Sequence, residues 1–146
     1  RSSRDAPDLF RRLLGPVDRE YFLVAMLDRK NKVIGVNPVS MGSLTASVVH
    51  PCEVFKATIL ANAAAVILGH THPSGDPQPG QEDRVLTARL SKARQLLGIE
   101  VLDHVIIGDG STEYVSFADQ GSCSGTKRQR GPTLVPLAGL LRTVWL

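Results

Sequence analysis

Residues 65–98 of the 146-residue chain are AVILGHTHPSGDPQPGQEDRVLTARLSKARQLLG. The apolar start of this stretch, residues 65–69, predicts a buried strand. Residues 70–80 contain too many prolines and glycines for regular structure. Apolar side chains then recur at helical spacing and predict a helix from Gln81 to Leu97, which Gly98 ends. A buried strand, a loop and an amphipathic helix in this order indicate an α/β unit.

The alternation of strands and helices extends on both sides of this unit. Strands are predicted at residues 21–27, 41–49, 101–107 and 114–117, and another strand starts at residues 33–36. Helices are predicted at residues 8–14 and from Pro51 onward. Cys52 is expected to be a small buried side chain of the second helix. We therefore expect one layered α/β domain, which suits the length of the chain.

The chemistry-bearing residues stand directly after the predicted strand 65–69. His70 and His72 are two positions apart at its end, so their side chains point to the same side. Asp83 falls in the first turn of the helix that follows. Two imidazoles and a carboxylate are ligands that zinc accepts, and three protein ligands leave the fourth tetrahedral position for water. A pair of hydrogen-bonded loop histidines and a helix-capping aspartate is the alternative interpretation.

Residues 70–83, HTHPSGDPQPGQED, resemble the JAMM motif of MPN+ metallopeptidase-type domains, in the form carried by bacterial RadC-like proteins. Residues 50–57 (HPCEVFKA) and 102–108 (LDHVIIG) also resemble RadC segments. The resemblance implies a three-layer α/β/α MPN (JAB) domain with a mixed sheet, related to cytidine deaminases. It places the domain at residues 17–121, after an N-terminal segment, 1–16, and before a tail, 122–146.

The resemblance also implies that His70, His72 and Asp83 bind Zn²⁺ and that an upstream glutamate bonds the zinc-bound water. Glu20 and Glu53 are the candidates, and we favour Glu20 because a charge beside a long apolar run is costly to bury without a role. The chain departs from the family pattern at Gly80, where the family has a serine that helps to hold the developing oxyanion. Ser74 is a possible replacement for that serine. Asp103 and His104 are expected to form structural hydrogen bonds or to support the ligands.

The charge of the chain argues against nucleic-acid binding by the domain. Four of the 17 basic residues lie after Cys123 and none of the 14 acidic residues does, which leaves 13 basic residues against 14 and a net charge of −1. Phosphate binding needs a concentrated basic face. The tail itself changes from a small, polar, basic stretch to an apolar one, and we predict a disordered linker followed by a segment of undecided role.

These observations lead to a zinc-dependent hydrolase of a peptide or isopeptide bond, acting on a peptide or protein substrate, with Glu20 as general base. A non-catalytic zinc-binding interaction domain is the alternative that Gly80 keeps open. A nucleobase deaminase would need His-x-Glu and Pro-Cys-x-x-Cys, which the sequence lacks. A DNA-repair role, attached to the RadC name, is not expected, because the nineteen residues before Glu20 cannot hold the helix-hairpin-helix module that such proteins commonly carry.

The cellular setting follows from what the sequence does not contain. No apolar run approaches the roughly 20 residues of a membrane span. The first residues carry no apolar stretch of a secretory signal, and two cysteines cannot form a disulfide scaffold. We therefore expect a cytoplasmic protein that does not contact membranes. The oligomeric state is left open.

Overall fold

Strands and helices alternate along the chain much as the apolar pattern predicts. The computed structural model describes residues 5–15, 19–42 and 49–121. The elements are α1 (Ala6–Leu14), β1 (Tyr21–Leu27), β2 (Val33–Met41), α2 (Pro51–Leu60), β3 (Ala65–His72), α3 (Gln81–Leu97), β4 (Glu100–Gly108) and β5 (Tyr114–Ser116). Helix α3 has the predicted bounds, and Gly98 ends it in the left-handed conformation, at φ 68°.

The five strands form one mixed sheet in the order β2-β1-β3-β4-β5. Only β3 and β4 are parallel, and α3 makes the crossover that a parallel pair requires. The other neighbours are antiparallel. The carboxyl ends of the parallel strands β3 and β4 therefore lie at the same edge of the sheet, where His72 pairs with Gly108.

Helices cover both faces of this sheet, which confirms the three-layer α/β/α arrangement. Helices α2 and α3 bury Val54, Leu86 and Leu90 against one face. Helix α1, within the N-terminal segment 1–16, buries Phe10 against the other face. The Phe10 ring fits there because β3 has a glycine at position 69, and a Cβ on Gly69 would lie 2.7 Å from the ring.

The structure corrects the predicted end of β3 and the predicted burial of Cys52, and it gives the end of the strand that starts at Val33. Strand β3 continues through His72 instead of stopping at residue 69, because backbone pairing with β4 holds residues 70–72 extended. Strand β2 continues to Met41, since it pairs with β1 over its whole length. Cys52 lies in the first turn of α2 but is exposed, not buried.

Some predictions concern residues that the structure does not describe. Met41 of the proposed third strand, 41–49, is the last residue of β2, and residues 43–48 lie outside the described ranges. The same is true of the tail, 122–146. Within the described ranges, no helix has the length and apolar character that crossing a membrane requires.

Candidate metal centre

The two histidines of the site come from the end of β3. His70 and His72 occupy alternate positions of the strand, so both side chains emerge on the face that α2 and α3 cover. The His70 side chain is buried and the His72 side chain is partly buried. Phe22 pairs with His70 across β1 and packs its ring 6.0 Å from the imidazole, centroid to centroid. The apolar core thus extends directly beneath the histidines.

The carboxylate of the site comes from the start of α3. Asp83 is the third residue of the helix, and its Oδ2 accepts a hydrogen bond of 2.7 Å from the Gly80 backbone N–H. This bond is the side-chain-to-backbone half of a capping box, and the reciprocal half is missing because glycine has no side chain. Asp83 is buried, and the cap fixes its direction toward β3.

The three side chains converge on a single point. Asp83 Oδ1 lies 3.0 Å from His70 Nδ1, and Asp83 Oδ2 lies 3.5 Å from His72 Nε2. One donor atom of each residue falls within 4.8 Å of those of the other two. Two ligands bonded to one zinc ion at tetrahedral angles are separated by about 3.4 Å. The spacing therefore suits three ligands of one ion.

The hydrogen bonding of the two rings also suits a metal ion. Both nitrogens of His70 are buried without a hydrogen-bond partner among the described residues, although Nδ1 is close to Asp83. The contact is short but not aligned for an N–H···O bond, as expected of two ligands that share an ion. His72 Nδ1 lies 2.9 Å from the Asp76 carbonyl oxygen, which can only accept a hydrogen bond, so Nδ1 carries a proton and Nε2 is the ring nitrogen that could bind a metal ion.

The ionisation of the site favours metal binding by Asp83. Burial opposes its charged form, but the neighbouring rings of His70 and His72 outweigh burial and hold the pKa of Asp83 well below its usual range. The hydrogen bond with Asp83 raises the pKa of His72, and the Glu20 charge adds to that rise. A carboxylate that stays ionised near neutral pH is the form that binds a cation.

Of the two candidate glutamates, Glu20 is the one whose charge acts on a histidine of the cluster, since it helps to raise the pKa of His72. It lies just before β1, whose pairing with β3 ends at Phe22 and His70, and there the Tyr21 N–H donates to the Thr71 hydroxyl at 2.8 Å. Glu53 instead lies 3.0 Å from Lys56 Nζ on α2, and about half of its side chain is exposed.

The loop between β3 and α3 is held against the end of β4. The His72 carbonyl oxygen accepts hydrogen bonds from the backbone N–H of Gly75, at 3.1 Å, and of Asp109, at 2.9 Å. A Cβ on Gly108 would collide with the Gly75 carbonyl oxygen, so only glycine permits this contact. The loop that separates the histidines from Asp83 is thus fixed by backbone contacts.

Asp103 has a structural role, as the sequence suggested. Its Oδ1 accepts hydrogen bonds from the backbone N–H of His104 and Ala118, and its Oδ2 accepts one from the Ser116 hydroxyl at 2.7 Å. Burial raises the pKa of Asp103 despite these donors. The side chain therefore ties β4 to the chain that leaves β5.

Sequence reasoning missed Thr87 as a residue of this site. The Thr87 hydroxyl donates to the Asp83 carbonyl oxygen at 2.7 Å and also lies 2.7 Å from His104 Nδ1. A threonine one helical turn after a ligand is a weak signal, because such residues commonly bond the carbonyl four positions earlier.

Comparison with known proteins agrees with the site. A sequence profile of the RadC-like JAB domain matches residues 1–122. The chain belongs to the RadC-like JAB domain family. Among curated RadC-family relatives, the UPF0758 protein of Pelobacter propionicus is 53% identical over 120 residues, which cover 82% of this chain and 52% of the relative. That of Moorella thermoacetica is 54% identical over 110 residues, covering 75% and 48%.

The JAB domain is the part of those relatives that this chain shares. The UPF0758 protein of Methanosarcina acetivorans is 52% identical over 103 residues, which cover 70% of this chain and 44% of the relative. The chain thus spans about half the length of the curated relatives that it matches. The names of these relatives state no activity.

Proposed function

We propose that this RadC-like JAB domain is a zinc-dependent hydrolase of a peptide or isopeptide bond, with a peptide or protein as its substrate. The observation that carries the proposal is the convergence of His70, His72 and Asp83 on one point, and the charge of Glu20 acts on one of these side chains, His72. Three ligands leave a tetrahedral position open, as in catalytic and not in structural zinc sites. Two imidazoles with one carboxylate favour zinc over magnesium or calcium.

The bound zinc and the residues around the site would have separate roles in hydrolysis. Zinc bound there would act as a Lewis acid on the carbonyl and lower the pKa of the attacking water. Glu20 would accept a proton from that water and deliver it to the departing amine. The bond from His72 Nδ1 to the Asp76 carbonyl oxygen fixes the His72 ring, and the Gly80 N–H fixes the Asp83 carboxylate. The loop contacts keep these ligands from moving apart during turnover.

The metal content of the purified protein tests the ligands. We expect one zinc per chain in the wild type by mass spectrometry, and none in His72→Ala. His50→Ala is the matched control, because His50 caps α2 through Cys52 N and lies outside the ligand cluster. Equal stoichiometric zinc in the wild type and in His72→Ala would show that the three residues do not form the site.

The role of Glu20 needs an activity assay. Wild type, Glu20→Gln and Glu53→Gln are incubated with libraries of peptides and isopeptide-linked conjugates. We expect Glu20→Gln to retain zinc and to lose turnover, whereas Glu53→Gln, which loses only an exposed ion pair with Lys56, should behave as the wild type. Loss of turnover in Glu53→Gln alone would assign the base to the other glutamate.

A non-catalytic metal-binding interaction domain is the second candidate, and one observation favours it. Position 80 is glycine, so the hydroxyl that the family pattern places there is absent. Loss of one donor to a developing oxyanion typically costs roughly 10²–10³ in rate, while metal binding is unaffected. Stoichiometric zinc together with no hydrolysis of any library member would favour this candidate over the hydrolase.

We also propose a cytoplasmic location, for which the exposed free thiol of Cys52 is the supporting observation. Such thiols persist where glutathione and thioredoxin keep them reduced. Recovery of the protein outside the cytoplasm after cell fractionation would contradict the proposal.

A further inference from the structure

His104 lies beside the ligand histidines and is buried completely. It pairs with Leu68 in the parallel register of β3 and β4, and Leu68 is two positions before His70. His104 and His70 therefore share a face of the sheet. Their ring centroids are 6.2 Å apart and their planes differ by 21°. The Phe117 ring also stacks on the His104 ring, with the centroids 5.0 Å apart.

The hydrogen bonds of Thr87 determine where His104 carries its proton. A threonine hydroxyl has one hydrogen, and that of Thr87 is donated to the Asp83 carbonyl oxygen at 2.7 Å. The hydroxyl must then accept from His104 Nδ1, which is also 2.7 Å away. The ring is completely buried and Nε2 has no hydrogen-bond partner among the described residues, so a second proton there would be a buried, unpaired charge; the ring is therefore neutral and its only proton is on Nδ1. His104 Nε2 therefore carries a lone pair and can only accept.

His104 Nε2 and His70 Nε2 are complementary. Both are buried, and neither has a hydrogen-bond partner among the described residues. Because His70 Nδ1 faces Asp83, a neutral His70 that uses Nδ1 as a ligand carries its proton on Nε2. A buried donor and a buried acceptor on neighbouring rings are each costly when left unpaired. Pairing them removes both costs.

We propose that His104 is a positioning residue of the metal centre, whose Nε2 accepts a hydrogen bond from one buried water that itself accepts from His70 Nε2–H. The inference rests on the proposed metal site. It connects two of the three ligands to one buried ring, since Nδ1 of the same ring is bonded through Thr87 to the Asp83 backbone. His104 thereby sets the tautomer and the orientation of His70 and holds Asp83 at a constant distance.

Ring-nitrogen NMR tests the tautomers without relying on activity. Long-range proton–nitrogen spectra of the metal-free and zinc-loaded protein should show His104 protonated on Nδ1 in both states. In the zinc-loaded protein, His70 should be protonated on Nε2 and bound through Nδ1. A proton on Nε2 of His104 in either state would overturn the inference. The metal-free spectrum keeps this test separate from the proposed function, which fails if the wild type binds no zinc.

Zinc affinity of matched variants tests the positioning. Loss of a residue that supports a metal ligand typically weakens metal binding 10–100-fold. By competition with a chelating dye, we expect His104→Phe to bind zinc weaker by that factor and Thr87→Val to shift in the same direction. Thr87→Ser keeps the hydroxyl and should bind as the wild type does.

The control for a merely structural effect is Phe117→Leu. This variant loosens the ring stack on His104 but retains every hydrogen bond, so its melting temperature should fall while its zinc affinity does not. If His104→Phe does not fold, the zinc affinities of Thr87→Val and Thr87→Ser are sufficient to test the proposal. Wild-type zinc affinity in folded His104→Phe, or in Thr87→Val, would overturn the proposal.

Discussion

Gly80 occupies the N-cap of α3 with an extended backbone, φ −76° and ψ 177°, which any residue adopts. A Cβ built there would meet only Asp83 Oδ2, at the ordinary contact distance of 3.6 Å. Backbone strain is therefore excluded as a reason for glycine at this position. Serine is also a preferred N-cap residue, better than glycine by a few tenths of a kcal/mol.

Gly80→Ser should consequently be tolerated, and it tests the missing oxyanion donor. If the domain is a hydrolase, we expect kcat to rise, up to about 10²-fold, because a single such donor lowers the activation barrier by roughly 3–4 kcal/mol. Zinc affinity should change little, since residue 80 is not a ligand. Steady-state kinetics measures kcat of the variant, metal analysis measures its zinc binding, and thermal melting measures its stability.

Ser74 provides the control for Gly80→Ser. It lies exposed on the loop after β3 and could supply a hydroxyl in place of the missing one. In that case Gly80→Ser would have a small effect and Ser74→Ala would inactivate the wild type. A stable, zinc-binding Gly80→Ser that hydrolyses nothing, with Glu20→Gln without effect, would contradict the hydrolase.

The burial of neutral His104 predicts a pH dependence of stability in the metal-free protein. The pKa of His104 is about 3 when folded and 6.5 by its ordinary value, so between these values the unfolded chain binds the extra proton. Stability due to this residue is present above pH 6.5 and is lost as the pH falls. Between pH 7.5 and 5.5 the loss is about 1.4 kcal/mol.

Urea unfolding of the wild type and of His104→Phe at pH 7.5 and pH 5.5 measures the loss of stability that is due to His104. The variant lacks the titrating ring and should lose less stability on acidification by about 1.4 kcal/mol. The other titrating groups are common to both proteins and cancel in the difference. An equal loss in both proteins would mean that His104 can be protonated in the folded state.

At the scale of the element, one face of helix α3 carries both a residue of the candidate metal site and residues of the apolar core. Asp83, Leu86, Thr87 and Leu90 are its buried residues, so one stripe carries both the ligand and the core contacts. The last buried residue of this face is Leu90, although the helix continues to Leu97. Leu97 was predicted to lie on the apolar face, yet it is 45% exposed, and Leu96 is 91% exposed.

Two leucine substitutions in α3 test the contrast between its buried face and its exposed end. Leu90→Ala removes a fully buried side chain and should lower the free energy of unfolding by about 2–5 kcal/mol. Leu96→Ala makes the same chemical change in the same helix at an exposed position, and we expect a change within about 0.5 kcal/mol. Denaturant titration of both variants checks the contrast. Similar losses would indicate that the end of α3 is covered in solution.

Strand pairing, and not composition, determines where β3 ends. Proline and glycine in residues 70–80 suggested that the strand stops before the histidines. The first proline or glycine of this stretch is Pro73. Thr71 and His72 precede it and are held extended by their pairing with Ile107 and Gly108. The histidines therefore belong to the rigid sheet and not to a loop, which is the better support for a metal site.

At the scale of the whole molecule, the charge distribution predicts that the domain does not bind DNA. Residues up to Gly121 carry 13 basic and 14 acidic side chains, because the other four basic residues follow Cys123. A protein without a net positive face gains little from counterion release. We expect no appreciable binding of labelled duplex at physiological salt by a chain truncated after Gly121.

The full chain is the control, because it restores Lys127, Arg128, Arg130 and Arg142. Any binding that it shows should weaken with salt and disappear on truncation. Submicromolar binding by the truncated chain, with a steep salt dependence, would refute this prediction and support a role on DNA.

The sequence by itself determined most of the elements and the cluster of candidate metal ligands. Apolar runs and helical spacing placed the cores of the strands and helices, because burial of an apolar face is a local requirement that leaves a local pattern. Helix α3 was predicted to the residue, since proline and glycine precede it and Gly98 ends it. The spacing of His70, His72 and Asp83 is likewise local, so the cluster that the structure forms was foreseeable.

Only the tertiary structure decided what depends on residues distant along the chain. The register of β1 against β3 places Phe22 opposite His70, and sequence spacing says nothing about such a register. The bond between Thr87 and His104, 17 residues apart, exists only once α3 packs on β4. The glycine at position 108 has its reason in the carbonyl of Gly75. Pairing and packing join segments whose contacts no local pattern encodes, and they determine the surroundings of the ligands.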